Sequence, residues 1–224
     1  MTIDWQPLWL TLRLASATTL LLVLLGLPLA CWIAYGRSRW KPVIETLVSM
    51  PLVLPPSVLG FYLLLAFSPQ HGLGAWLREA LHIQLAFSFG GLLVASVLYS
   101  LPFMVQPLQA GLQNLPPSLL EASRTLGKSD VITLWRVLLP NMKGAVLSAL
   151  VTTFAHTVGE FGVVLMIGGN IPGVTRVASI AIYDQVESLN YAAAHVYSAI
   201  LLTLSFGTLL LVYVMNRRWR GEAG

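Results

Sequence analysis

Leu14 to Tyr35 reads LASATTLLLVLLGLPLACWIAY, 22 residues without a charge. At 1.5 Å rise per residue, roughly 20 apolar residues in a helix cross the hydrocarbon core of a bilayer. No water reaches that core, so every backbone N–H and C=O must be paired within the protein, and a single segment achieves this only as a helix. The alternating apolar and polar pattern of a membrane strand is absent. Four further runs repeat the theme. One starts after Glu45 and continues uncharged past Phe67, and one runs from Ile83 to Leu120. A fourth opens after Lys143 and ends near Gly168-Gly169, and a fifth lies between Glu187 and Arg217. The fold class expected is therefore all-α and integral to the membrane, with about five transmembrane helices.

Composition agrees. Of the 224 residues, 56% are hydrophobic and 10% charged, whereas soluble domains carry about 25% charged residues. The formal net charge of +4 invites a nucleic-acid partner, but the positions argue for topology instead. Arg37, Arg39 and Lys41 follow the first run, Arg124, Lys128, Arg136 and Lys143 lie between the third and fourth, and Arg217, Arg218 and Arg220 follow the fifth. With five spans these all fall on one side, leaving Arg13, Arg78 and Arg176 for the other. The positive-inside rule then places the N-terminus outside and the C-terminus in the cytoplasm, and no nucleic-acid partner is called for.

The first run is not read as a signal peptide, because its basic cluster follows the apolar stretch instead of preceding it. Pro28-Leu29-Ala30-Cys31 resembles a lipoprotein cleavage site, but proline stands where leucine is usual. Cys31 is the single cysteine, so no internal disulfide forms. The chain shows no second domain and no repeat. In the outer loop from Ser68 to about Ala86, Trp76, Leu77, Ala80 and Leu81 fall at helical spacing, which predicts a short amphipathic helix at the interface. His71 and His82, eleven residues apart with no cysteine nearby, read as loop histidines and not as metal ligands.

The cytoplasmic segment between the third and fourth runs is denser in signals. Pro116-Pro117 stops a helix, and Ser118-Leu119-Leu120-Glu121 predicts a capping box in which Ser118 accepts from the Glu121 N–H. Gly127 is placed as the left-handed end of that helix, and Ser129 or Asp130 as the cap of the next. Val131, Leu134, Trp135 and Leu138 then share a face at i, i+3, i+4 and i+7, and Pro140 breaks or kinks the helix. Two short helices meeting at a glycine corner are either an ordinary capped loop or a docking knob for a cytoplasmic partner.

At this loop the chain resembles the permease subunits of ABC importers, whose signature places Glu-Ala-Ala six residues before Gly and nineteen before Pro. It stands here as Glu121-Ala122-Ser123, Gly127 and Val137-Leu138-Leu139-Pro140, departing at Ser123 and Val137. The molybdate branch is resembled along nearly the whole chain. The matching stretches are Pro51-Leu52-Val53-Leu54-Pro55-Pro56, Ala86-Phe87-Ser88, Ser100-Leu101-Pro102-Phe103-Met104-Val105, Glu121 through Gly127, Gly159-Glu160-Phe161-Gly162 and Asn170-Ile171-Pro172-Gly173. Sulfate and thiosulfate permeases look similar at several of these places, so both remain alternatives, as does tungstate beside molybdate.

The resemblance implies one permease domain over residues 1–224 in the bacterial inner membrane. It implies a homodimer of permeases forming one pathway, two cytoplasmic ATPase subunits, and an external substrate-binding protein. Ser118, Glu121, Ala122, Ser123, Leu126 and Gly127 would form the coupling helix that docks the ATPase. No Gly-x-x-x-x-Gly-Lys-Ser/Thr phosphate loop is present, so ATP is expected on the partner. The chain itself is expected to be no enzyme and to need no cofactor or metal. An ion-coupled secondary transporter would want paired intramembrane acids and an inverted repeat, neither of which appears.

Glu160 is the one acid within the five runs, with His156 four residues earlier on the same helical face. A charge at mid-membrane costs roughly 2.5–3.5 kcal/mol, so Glu160 faces protein. A carboxylate repels an oxyanion, and its expected role is to bond hydroxyls or backbone and fix the helix around Gly159 and Gly162. Pro55, Pro56 and Ser57 interrupt the second run, as a pathway wall or as a plain kink. Together with Asn170 these complete the pathway or helix-contact candidates. Mid-span arginine and lysine are absent, which suits an anion that is passed on without being held. The topology has a direct check: a reporter fused after Gly224 should sit in the cytoplasm and one inserted near Gly74 outside. The reverse pattern would refute the assignment.

Overall fold

The computed structural model describes residues 4–70 and 72–221, with the backbone alone described for Trp219, Arg220 and Gly221. His71, the Arg220 side chain and Gly224 lie outside the described residues. The chain forms α1 (Gln6–Tyr35), α2 (Lys41–Val53), α3 (Pro56–Phe67), α4 (Gly72–Leu81), α5 (Phe89–Gln113) and α6 (Pro117–Thr125). It continues with α7 (Asp130–Thr133), a π-helical turn over Leu134–Leu138, α8 (Leu139–Asn141) and α9 (Lys143–Gly159). The last three helices are α10 (Gly162–Gly168), α11 (Ala178–Glu187) and α12 (Tyr191–Gly221). No strand occurs among the described residues.

Among the described residues three helices are long and apolar enough to cross a membrane: α1, α5 and Tyr191–Arg218 of α12. Two bent pairs bring the number to five if each is one span. One is α2 with α3, bent by 113°, and the other Asp130–Asn141 with α9, bent by 87°. The five expected runs thus map onto the fold, with differences at their edges. The first helix begins at Gln6, so Arg13 lies inside it; its guanidinium sits 4.6 Å above the Phe89 ring. The fourth run is split at Glu160 into α9 and α10. Residues 174–190, a partly apolar stretch, hold the ten-residue α11. Ten residues rise about 15 Å, half of what a crossing needs.

Helices α1, α5 and α9 pack together as the centre of the molecule. Towards the C-terminal end of α1, Leu22, Ala30 and Ile33 meet Met104, Val105, Leu108 and Leu112 of α5 in one buried cluster. Gly26 makes room there, since a Cβ on it would lie 2.9 Å from Met104 Cγ. Towards the other end Leu14, Leu92, Val164 and Ile180 form a second cluster. Thr11 crosses between elements: its hydroxyl donates to the Pro7 carbonyl and accepts from the Ala178 N–H, each at 2.8 Å, holding the start of α11 against α1. Helix α5 is capped by Ser88, whose Oγ accepts from the Gly91 N–H at 3.1 Å.

The corner between α6 and α7 meets some local expectations and corrects others. Helix α6 ends in a paired closure: Gly127 has φ +68°, its N–H donates to the Arg124 carbonyl, and the Lys128 N–H donates to that of Ser123. This is the glycine-terminated Schellman geometry. The capping box does not form. Pro117, with its preset φ and no N–H to satisfy, takes the first helical position; Ser118 falls one residue inside, and no side chain caps the helix. The shared face expected of Val131, Leu134, Trp135 and Leu138 holds for three of them, which line one cavity, while Trp135 in the π turn is exposed. Ser129 does cap α7, accepting from the Ile132 N–H at 3.4 Å. In the outer loop the expected short helix is α4, with Trp76 and Leu81 exposed and Gly74 seated on the Phe67 and Ser68 backbone.

Glycine spacing in the spans sets a test. A Cβ on Gly91 would lie 1.9 Å from the Leu85 carbonyl oxygen, backbone that cannot step aside, whereas one on Gly207 meets nothing within 4 Å. Gly91→Ala should destabilise the protein by about 1–3 kcal/mol, read as a clear drop in melting temperature in detergent. Gly207→Ala should be neutral or slightly stabilising, and equal effects of the two would contradict this packing.

Candidate functional site

Two helix breaks meet inside this fold. The first is written in proline: Pro55 drives Leu54 out of helical geometry (φ −70°, ψ 134°), and Pro56 then starts α3 as its first residue. The second carries no proline. Helix α9 stops at Gly159, Glu160 is extended (φ −67°, ψ 131°), and α10 begins at Gly162. The breaks touch, because a Cβ on Gly162 would lie 2.7 Å from Pro56 Cβ; only glycine lets the two chains approach so closely. Between them opens a cavity of about 590 Å³, lined by Pro56, Ser57, Tyr99, His156, Gly159 and Glu160 among others.

Glu160 holds the second break in place. It is 4% exposed, its Oε2 accepts from Ser96 Oγ of α5 at 2.8 Å, and its carbonyl accepts from Ser179 Oγ of α11 at 2.6 Å. One residue thus ties α5, α9 and α11 together where the helix has no ladder of its own. Its Oε1 has no hydrogen-bond partner among the described residues, an arrangement that costs about 1–3 kcal/mol where no water reaches it.

One turn away, His156 stacks on Phe103 with ring centres 3.9 Å apart and lies 4.9 Å from Tyr99. Its Nδ1 is 3.0 Å from Ser100 Oγ, which is 3.0 Å from Thr157 Oγ1, which in turn donates to the Thr153 carbonyl at 3.0 Å. Three contacts need three hydrogens. They are all supplied when His156 donates from Nδ1 to Ser100, Ser100 to Thr157 and Thr157 to Thr153. The lining is therefore aromatic and hydroxylic, with no arginine or lysine among the cavity residues.

Pro56, Ser57, His156, Gly159, Glu160 and Gly162, expected from the sequence, are brought together at this cavity, with Pro55 at the break itself. Asn170 is not. It lies beyond α10, where its side chain bonds Asp184 at 3.0 Å and accepts from Arg176, tying the loop to α11. Sequence reasoning missed Ser96, Tyr99, Ser100, Thr157 and Ser179. The available signal was the pair of serines four apart, 96 and 100, on one face of an apolar span. At the corner between α6 and α7 Ser118, Glu121 and Ala122 are exposed, Leu126 is 73% exposed, and Ser123 is buried with its Oγ 2.7 Å from Thr133 Oγ1. Among the described residues no three His, Cys, Asp or Glu side chains converge as for a metal.

Comparison with known proteins adds the following. Residues 23–221 match the family described as binding-protein-dependent transport system inner membrane component. The molybdenum transport system permease protein ModB of Azotobacter vinelandii is 47% identical over 215 residues, covering 96% of this chain and 95% of that one. A probable sulfate transport system permease protein, cysT of Nephroselmis olivacea, is 33% identical over 214 residues, covering 94% of this chain and 75% of that one. Among solved structures, a chain of the inward-facing MetNI methionine ABC transporter superposes with a TM-score of 0.71 at 17% identity. It covers 95% of this chain and 94% of that one, a likeness of fold.

The Glu160 geometry makes a graded forecast. Glu160→Gln keeps the size and an acceptor for Ser96 and should largely preserve stability and transport. Glu160→Ala strands the Ser96 hydroxyl and empties the junction, and should cost about 1–3 kcal/mol with a marked loss of uptake. Uptake in reconstituted vesicles, with and without a proton gradient, checks this. Loss with Gln as complete as with Ala, together with dependence on the gradient, would mean that the carboxyl carries protons instead.

Proposed function

The chain belongs to the family of binding-protein-dependent transport system inner membrane components, and we propose that it is the permease subunit of an ABC importer that carries molybdate into the cytoplasm. The observation that carries the substrate is the near full-length, 47% identical match to a molybdenum permease. The sulfate relatives, less similar, make sulfate the competitor to test.

The family description supplies a binding protein, and the remaining parts follow from the chemistry the chain lacks. With no phosphate loop in its sequence it draws on a separate ATPase, two copies of which sit beneath two copies of this permease. We place the N-terminus outside and the basic loops in the cytoplasm of a bacterial inner membrane, and treat the chain as a single permease domain with no cofactor of its own. The cavity at the paired breaks is then part of the route. Hydroxyls and ring edges greet the anion without a fixed positive charge, so it is guided but not trapped; selection falls to the external binding protein.

The cytoplasmic corner is the lever. Ser118, Glu121, Ala122, Ser123, Leu126 and Gly127 form its tip, and Leu126, Val131 and Trp135 offer exposed apolar surface there. Such side chains are expected to be covered by a partner. The Schellman closure and the Ser123–Thr133 bond make the corner stiff, so a displacement imposed on α6 passes to α7, α8 and α9 without being absorbed.

The test is reconstitution with the cognate ATPase and binding protein. Molybdate uptake should depend on ATP and be competed by tungstate more strongly than by sulfate; preference for sulfate would reassign the substrate. Leu126→Asp or Gly127→Asp should reduce copurification with the ATPase by about tenfold, the effect of roughly 1.4 kcal/mol, without impairing insertion. Normal copurification and transport in both would end the docking assignment.

A further inference from the structure

Below the paired breaks, α2 and α5 run antiparallel towards the cytoplasm and are cross-linked by two side-chain hydrogen bonds. Gln109 Nε2 donates to Glu45 Oε1 at 2.8 Å, and one turn deeper Gln106 Nε2 donates to Ser49 Oγ at 3.0 Å. The positions are in register for antiparallel helices, each step moving three or four residues along both chains. Beside this ladder lies an open groove of about 580 Å³ lined by Pro42, Glu45, Thr46, Ser49, Met50 and Val53.

A groove carrying Glu45, Thr46 and Ser49 beside two glutamines does not suit lipid. Polar side chains within spans, here Ser49 and Gln106, face protein or water, and mark ion or substrate routes. The groove continues a stripe already described. On α5, Tyr99, Phe103 and Gln106 recur at i, i+4 and i+7, one face of the helix, and Tyr99 lines the upper cavity. On α2, the chain leads from Glu45 and Ser49 through the fully turned-out Val53, 85% exposed, to the break at Pro55.

We propose that this α2–α5 ladder is the exit end of the anion route, where Gln106, Gln109 and Ser49 give a tetrahedral oxyanion its last hydrogen bonds before the cytoplasm. The proposal rests on the permease function above. Each glutamine amide has two N–H donors and spends one on α2, which leaves one to offer. The ladder bonds fix the amides: a carboxylate only accepts, so Glu45 holds the Gln109 nitrogen, and not its oxygen, at that edge. Neutral donors suit an exit better than arginine would, because a route conducts only where each site is weak enough to leave. Glu45 strengthens this, since its negative charge beside the donors opposes a long stay by an anion.

Aqueous access and protection test the ladder directly. In the reconstituted complex carrying Cys31→Ser, which removes the only thiol of this chain, Ser49→Cys and Gln106→Cys of this chain are probed with a membrane-impermeant anionic methanethiosulfonate, and labelling is read on this chain alone. Phe206→Cys, on the exposed face of α12, is the lipid-facing reference. Both ladder positions should react about tenfold faster than the reference, as exposed thiols do, and molybdate should slow both. In the same complex Gln106→Leu and Gln109→Leu should lower uptake per ATP hydrolysed several-fold, and Asn at either position should restore part of it. Slow reaction at both positions while the Cys31→Ser complex takes up molybdate would overturn the proposal and make the groove a contact with the second permease copy. Fast reaction without protection, joined to normal uptake in the leucine variants, would overturn it too. If the parent complex moves no molybdate, it is the substrate assignment that falls.

Discussion

A backbone that leaves helical geometry inside a membrane exposes N–H and C=O groups that lipid cannot satisfy, and the arrangement of this chain turns on where that happens. It happens twice, at Leu54-Pro55 and at Glu160-Phe161, and the two places are in contact. Neither break is tolerable facing hydrocarbon. Set against each other, they are covered on one side by protein and open on the other to a polar cavity. The surrounding helices follow: α1, α5 and α9 supply a close-packed centre, α11 and α3 brace the outer half, and the glycines at 60 and 162 set how near the broken segments come.

The breaks are maintained by different means. At Pro55-Pro56 the covalent structure does the work, since neither ring can join a continuing helix ladder. At Glu160 nothing in the local chain forbids a helix; Gly159 and Gly162 only weaken it. The break persists because the side chain is held by Ser96 and the carbonyl by Ser179. A proline break is permanent, whereas one held by two hydrogen bonds can shift if α5 or α11 moves. The two walls of the cavity therefore differ in stiffness, with α2–α3 the fixed wall and α9–α10 the adjustable one, and the adjustable wall is the one continuous with the α6–α7 corner through α9.

What the sequence disclosed, and what it hid, follows the same division. Long apolar runs, the proline break and the glycine corner are consequences of single residues or simple composition, and each was legible. The cap of α6 was misread because Ser118 fits a capping box as well as Pro117 fits the first helical position, and local chemistry alone did not rank them. The π turn at Leu134–Leu138 and the split of the fourth run at Glu160 are tertiary effects without a local marker. The cavity was half legible: Pro56, Ser57, His156 and Glu160 stood out as anomalies in apolar spans. Ser96 and Ser100, ordinary in a membrane helix, acquire meaning only from what α9 brings opposite them. Asn170 sat in a distinctive motif, but its role is to tie a loop to Asp184.

The charge pattern along the interior supports a path that conducts without storing. Fixed cations would bind a doubly charged oxyanion tightly, and each tenfold of affinity adds about 1.4 kcal/mol to the barrier for leaving. The lined surfaces hold none: hydroxyls, an imidazole and aromatic rings at the breaks, and amides and hydroxyls along α2 and α5. The two carboxyls near this lining, Glu160 and Glu45, are each engaged by a donor from α5, Ser96 and Gln109. Helix α5 thus carries both restraints, one at the break and one near its C-terminal end, with Pro102 and Pro107 in the helix between them. A displacement of α5 relative to its neighbours would strain both together, so the upper cavity and the lower groove are mechanically joined even though no residue lines both.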